Sequence, residues 1–301
     1  MQSDKPLVSI GLNTYYGERF IGQTLDSFLA QDYPSFEIII LDNQSQDKTE
    51  EICRGYAARD NRFRYERSPD NLGTVKGYNR LSEMARGPYF MWADDHDLRD
   101  STYISKCQSL LEESEEAVLA YTQTMLIDED GRSLGRMPGD MDTRGMSPAK
   151  RHRHLIWNLR ICNMIYGLMR RDVLNQTAKF KNIWGPDHLL LAELALVGAF
   201  ALVPEPLFHR RQIREEEPVK TRVRRVMVAL DPGGSRQRHE RSYFLLLAEL
   251  CGAHLKLVGR SSLGPCQKIG SWFLVLLSFG MRLFMPWPRL VACGKKILRI
   301  K

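Results

Sequence analysis

The apolar residues of this 301-residue chain fall into two kinds of run. Phe36–Leu41 is nearly unbroken, and Leu7–Asn13, Phe63–Arg67 and the stretch opening at Tyr89 are short runs of similar β-rich composition. Continuous apolar runs of this length suit strands covered on both faces of a parallel sheet. Between them the spacing changes. Phe20, Ile21, Leu25, Phe28 and Leu29 recur at helical intervals within Glu18–Gln31, and Val75, Tyr78, Leu81 and Ala85 mark a second such segment. Asp32–Pro34 and Gly87–Pro88 punctuate them, and Asp47 and Glu50 have capping-box spacing for a further helix. Strands alternating with helix-length gaps predict βαβ units, hence an α/β fold with a mostly parallel sheet flanked by helices.

The later pattern is looser. Ser101–Glu116 reads as a helix, Ala117–Thr124 as extended, Asp128–Gly131 as a turn and Arg136–Ala149, without periodicity, as a mobile loop. Ile165–Arg170 is a short strand, and Leu189–Val197 an apolar helix with Pro186 near its first turn, where proline is tolerated.

Three of the predicted strands end in polar clusters: Asn13–Glu18, Asp42–Asp47 and Asp94–Asp97. Right-handed crossovers put the carboxyl ends of parallel strands on one edge, so the clusters converge on one crevice. Asp94 and Asp95 repel unless a cation lies between them, and a divalent ion commonly pairs one or two carboxylates with substrate phosphates. The pattern suggests a metal-diphosphate site, against the alternative of a solvated acidic turn. Asp187 falls where a helix dipole favours a carboxylate; it reads either as a helix cap or, in a cleft, as a general base. No Gly-x-Gly-x-x-Gly follows the first strand and no P-loop occurs anywhere, so any nucleotide here must be held by carboxylates, amides and a metal instead of a glycine cradle.

Charge adds one further distinction. The net +7 is uneven: from Leu207 to Lys301 there are 19 Lys or Arg against 6 Asp or Glu, leaving 24 against 30 before it. A basic tail favours an anionic surface. No nucleic-acid motif accompanies the charge, so no nucleic acid is expected as partner. The six cysteines lack zinc-site spacing and suit buried thiols in a reducing compartment. The opening residues lack a signal-peptide pattern, giving a cytoplasmic expectation.

The front two-thirds, about Leu7 to Arg211, resembles the family 2 glycosyltransferases of the GT-A fold. The likeness rests on Val8–Glu18, on Leu29–Asp42, on Asn43, Ser45 and Asp47 where the family has Asp-x-Ser-x-Asp (Asn43 replacing its first aspartate), and on Asn71, Gly73, Asn79 and Gly87. It departs at Asn13 and Tyr16, where the family has proline and asparagine, and at Ala93, where it has the first aspartate of Asp-x-Asp. The resemblance implies a Rossmann-like catalytic domain over 1–211. Thr14, Tyr15, Glu18, Asp42, Asn43, Asn71 and Asp94 would hold the donor nucleotide, Asp95 would bind Mg²⁺ or Mn²⁺, and Asp187 would be the base of an inverting transfer. His96 and Asp97 carry no firm role, and His209 and Arg210 only approximate the family's Tyr-Arg-x-His. A nucleotide-sugar donor and a glycan or lipid-linked glycan acceptor follow as partners. Two alternatives stand beside this reading. A sugar-phosphate nucleotidyltransferase lacks its Gly-rich basic first loop here, whereas a non-catalytic nucleotide-sugar-binding scaffold would suit the departures at Asn43 and Ala93.

Residues 212–301 read as a helical, basic extension. Asp231–Ser235 is a flexible linker by composition, followed by a helix over Ser242–Leu257 with Phe244, Leu245, Ala248, Cys251 and Leu255 on one side. Ile269–Met281 is too short to span a bilayer. With the tryptophans and basic flanks around it, it reads as a helix lying peripherally on the inner, anionic leaflet or as one packed on the catalytic domain.

Overall fold

A computed structural model describes residues 7–159, 161–213 and 217–284. β1 (Val8–Thr14), β2 (Phe36–Asp42), β3 (Phe63–Arg67) and β4 (Tyr89–Asp94) run parallel in the order β3-β2-β1-β4. The sheet is completed by β5 (Leu98–Arg99), β6 (Ala117–Ile127), β7 (Ser133–Arg136), β8 (Leu168–Arg170) and β9 (Ala199–Arg211). β8 lies antiparallel between β4 and β6, β9 pairs parallel with β6, and β5 and β7 are short antiparallel additions to β9 and β6.

Helices cover both faces. They are α1 (Ile21–Leu29), α2 (Thr49–Arg59), α3 (Gly73–Met84), α4 (Tyr103–Glu113), α5 (Pro148–Asn158), α6 (Arg171–Gln176) and α7 (Pro186–Val197), then α8 (Val219–Leu230), α9 (Arg236–His239), α10 (Tyr243–Arg260) and α11 (Pro265–Phe284). The period-two geometry of a strand sorts the core between them. Ile38 and Ile40 of β2 pack with α1, α2 and α4, whereas Ile39 and Leu41 pack with α3 and the later helices. This is why the strand reads as an uninterrupted apolar run.

Several expectations need correction. Asp47 and Glu50 do not form a capping box: Asp47 accepts from Thr49 and from the Glu18 amide, while Glu50 is drawn to Arg54 and Arg67. Much of the segment read as a mobile loop is tied down. The Met141 amide and carbonyl both bond the Tyr121 hydroxyl, Thr143 pairs with Phe200, and Pro148–Asn158 is helical. Asp231–Ser235 is likewise pinned, by Asn182 and His239. On α10 the buried stripe is Leu246, Leu247, Leu250, His254 and Val258, leaving Phe244 and Leu245 exposed. The sequence reading had rotated that face, because six apolar residues in a row at its start admit more than one stripe.

The basic extension packs on the rest of the chain. Val223, Met227, Leu250, Val275 and Phe279 belong to the same buried cluster as Trp92 and Leu190. No helix of the described residues is long and apolar enough to cross a membrane. The terminal basic residues Lys295, Lys296, Arg299 and Lys301 and the Pro286–Pro288 stretch, used in the reading of the tail, lie outside the described residues.

Candidate active site

Register brings the three polar clusters together. Thr14 pairs with Asp42 across β1 and β2, and Asn13 with Asp94 across β1 and β4. Between β1 and β4 the strand order reverses, which is where open α/β sheets form a ligand crevice. Hydrogen bonds then knit the clusters. Thr14 Oγ1 donates to Asp95 Oδ2 at 2.6 Å, and the Tyr16 amide donates to Ser45 Oγ at 2.9 Å. Gly17 lies so close that a Cβ there would stand 2.5 Å from Thr14 Oγ1 and 2.7 Å from Asp95 Oδ2, so a side chain would displace the carboxylate.

The first-strand residues differ in how open they are. Tyr15 and Tyr16 are exposed at the rim, edge to face at 4.6 Å. Glu18 accepts from the Lys48 amide. Asp42 is fully buried, accepting from Tyr65 at 2.7 Å and from the Ser45 amide at 2.8 Å. Asn43 bridges Asn13 and the Leu72 amide, and Asn71 turns the chain into α3 by accepting from Gly73.

Asp94 and Asp95 sit in different settings. Both oxygens of Asp94 accept phenol hydroxyls, from Tyr78 of α3 and from Tyr166. Burial, then the Asp94 charge, pushes both phenols well up, so they stay protonated donors. Asp95 faces Thr14 on one side and His96 Nδ1, at 3.0 Å, on the other. Burial would depress His96, but the Asp95 hydrogen bond and the charges of Asp97 and Asp94 outweigh it and push the imidazole up to about 9. Asp97 is buried and accepts from the Arg211 amide at 2.8 Å. Burial raises its carboxyl against the opposing charge of His96.

Donor atoms of Asp94, His96 and Asp97 lie within 4.8 Å of one another. Two carboxylates suit Mg²⁺ or Mn²⁺, with lone pairs to spare on each oxygen, and His96, held protonated beside them, would have to give up its proton to join. The residues therefore fit a divalent cation. They also show a register that the sequence reading passed over: Asp95-His96-Asp97 is itself an unbroken Asp-x-Asp.

Asp187 reaches the same neighbourhood through the 3₁₀ turn Asn163–Tyr166. One end of that turn is Tyr166, bound to Asp94, and just before the other is Cys162, whose thiol lies beside Asp187. Gly185, in the left-handed region at φ +67°, bends the chain into α7, and Asp187 falls in its first turn, accepting from the His188 amide at 2.9 Å. Burial pushes the Asp187 carboxyl up, and the His188 amide and Cys162 only partly offset it. Arg210 completes the group. Its guanidinium donates to Asn163 at 2.6 Å and its charge acts on Asp97, Tyr166 and Asp187. His209, adjacent in β9, points to the other face of the sheet and lines a surface hollow with Gln23, Asp26 and Asp100.

Behind Asp187 lies a buried histidine group that the sequence reading missed. Arg282 of α11 approaches His188 Nε2 at 3.3 Å and donates to the Ile156 and Leu159 carbonyls at the end of α5. With Nε2 accepting, His188 Nδ1 carries the proton and donates to His254 Nε2 at 3.0 Å. His152 lies in the same group, with no hydrogen-bond partner among the described residues for either ring nitrogen. Burial holds all three low, His152 at about 4 and His254 at about 3. A histidine neutral when folded but charged when unfolded withdraws stability as pH falls below about 6.5, at roughly 1.4 kcal/mol per pH unit, until the folded pKa is reached. Melting temperature is thus expected to fall steeply between pH 6.5 and about 4. His152→Leu should flatten that slope in a pH series of melts; an unchanged slope would remove His152 from the account.

Residues 9–177 match the family described as Glycosyl transferase family 2. An uncharacterized glycosyltransferase of Methanocaldococcus jannaschii is 31% identical over 135 residues, 44% of this chain and 47% of that protein. A Bacillus subtilis glycosyltransferase named for teichuronic acid biosynthesis is 30% identical over 137 residues, 45% of this chain and 54% of that protein. The chain thus spans about half the length of these curated relatives. Among solved structures, residues 1–349 of Staphylococcus aureus TarS with UDP-GlcNAc superpose with a TM-score of 0.67 at 17% identity, covering 90% of this chain and 72% of that one. A Pyrobaculum calidifontis mannosyltransferase with GDP-Man and Mn²⁺ gives 0.52 at 13% identity, covering 99% and 82%. At such identities the structural likeness shows the fold, a GT-A arrangement of mostly parallel sheet and flanking helices.

Proposed function

The chain belongs to glycosyl transferase family 2, and we propose that it transfers a sugar, with inversion, from a nucleoside-diphosphate donor to an acceptor hydroxyl. What supports this reading is the crevice at the strand ends that holds Asp94 and Asp95, together with the short turn whose Tyr166 binds Asp94 and whose preceding Cys162 lies beside Asp187. TarS binds UDP-GlcNAc in its structure and the Pyrobaculum enzyme binds GDP-Man with Mn²⁺; a nucleotide sugar and a divalent cation are carried over from there. The alternative of a non-catalytic binding protein shares the binding features and differs in turnover.

In this reading 1–211 is the catalytic unit and 212–301 the basic extension. Thr14, Tyr15, Glu18, Asp42, Asn43 and Asn71 line the nucleotide end. Asp95 would hold the cation, within reach of the Asp94, His96 and Asp97 donor group that could share it, and Asp94, fixed by its two tyrosines, would face the ribose. A cation bound there supplies charge neutralisation for the departing diphosphate. Arg210 adds a fixed positive charge near the leaving group. Asp187 accepts the proton of the acceptor hydroxyl as its oxygen attacks the anomeric carbon opposite the breaking bond to the diphosphate, so one displacement inverts the centre. A carboxyl raised by burial is a stronger base than a solvated one. The acceptor in this reading is a glycan or a lipid-linked glycan, as in polysaccharide or glycolipid assembly.

The test is thermal stability against UDP, GDP, dTDP and CMP, each with and without Mn²⁺. One diphosphate at about a hundred times its dissociation constant should add roughly 2.7 kcal/mol, and chelator should abolish the gain. No shift with any nucleotide would leave the cluster as carboxylates that only tie the strand ends together.

A further inference from the structure

We propose that the outer face of α11 is a docking surface for an anionic lipid bilayer. The helix has two apolar sides. Ser271, Val275, Ser278 and Phe279 are buried against α5 and α10, with Ser278 Oγ donating to the Ile156 carbonyl. On the opposite side Ile269, Phe273, Leu276 and Leu277 are exposed, Ile269 by 62% and Phe273 by 65%. These follow one another at i, i+4, i+7 and i+8, a continuous stripe on a helix about 30 Å long. Isolated exposed apolar residues need no explanation, but a contiguous stripe marks an interaction surface.

Charge selects the occupant. From Cys251 to Lys301 the sequence carries nine Lys or Arg and no Asp or Glu. Lys256 and Arg260 are exposed on α10, and Lys268 stands at the start of α11. A second copy would bring more charge of the same sign rather than relieve it. An anionic bilayer relieves that charge and takes the apolar stripe into its headgroup boundary, with α11 in the plane of the surface. The buried side fixes how the chain would stand there: Arg282 joins α11 to His188, next in sequence to Asp187. A helix resting on lipid thus connects directly to the helix that carries the candidate base. The inference adds a surface to the proposed function but does not depend on it, because lipid binding is read without substrate.

The experiment is sedimentation of the full chain with vesicles of phosphatidylglycerol and phosphatidylethanolamine, compared with phosphatidylcholine alone. Binding at least tenfold stronger to the anionic vesicles and weakened by salt is expected. Phe273→Glu with Leu276→Glu should lower it at least tenfold while melting temperature stays unchanged. Absence of binding to anionic vesicles, or equal binding by the double variant, overturns the proposal. So does a wild-type dimer that the double variant dissociates, which would assign the face to a second copy. A marked fall in the variant's melting temperature would assign it to another segment of the chain itself, and would equally overturn it.

Discussion

Asp187→Asn is expected to reduce sugar transfer by about 10²- to 10⁴-fold, the range typical of general-base assistance, while nucleotide binding survives. The amide keeps the shape of the carboxylate and can still accept from the His188 amide, so the first turn of α7 need not move. What it cannot do is take a proton. Because burial raises the native carboxyl, transfer by the wild type should fall on the acid side with an apparent pKa above the usual carboxylate value, and the variant should lack that limb. Initial rates from pH 4 to 8 provide the check. Near-normal transfer by Asp187→Asn would leave the residue as a helix cap only.

Asp95→Ala should abolish the metal-dependent stabilisation by nucleoside diphosphate, about 2.7 kcal/mol at a hundredfold excess over the dissociation constant. The substitution deletes the acceptor of Thr14 and of His96 together. Asp94→Asn is the informative comparison, since Asp94 is already engaged at both oxygens by Tyr78 and Tyr166. Metal dependence should be lost with Asp95 and retained in the Asp94 variant, with nucleotide affinity reduced. The opposite pattern would move the cation to Asp94 and leave Asp95 to position Thr14. Melting of each variant without ligand separates lost binding from lost folding.

How far these residues could be read in advance follows from their physics. β1, β2 and β4 are buried on both faces, so their apolar runs and the carboxylates just past them are plain in the sequence. Their shared edge follows from parallel pairing. Two decisive partners of the carboxylates were not legible, because they come from far away in the chain. Tyr166 is 72 residues from Asp94 and Thr14 is 81 from Asp95. Tyr78 registered only as an apolar mark on a helix, although its hydroxyl is the part that meets the site. The resemblance set the Asp-x-Asp position at Ala93–Asp95, and the unbroken Asp-x-Asp two residues on, at Asp95–Asp97, was visible in the sequence but not weighed. The pairing of Arg282 with His188 joins residues 94 apart across α7 and α11, a contact that helical periodicity does not carry. The α10 face was lost for the opposite reason: too many apolar residues in a row leave the phase of the stripe undetermined.

The most direct test of the account is nucleoside diphosphate release from a panel of nucleotide sugars, with and without Mn²⁺, by the wild type and by Asp187→Asn. The account predicts turnover of one donor, dependent on the metal and lost in the variant, even if water is the only acceptor present and the rate is slow. Tight, metal-dependent binding of a donor with no release from any of them would contradict it and leave a binding protein on a glycosyltransferase fold.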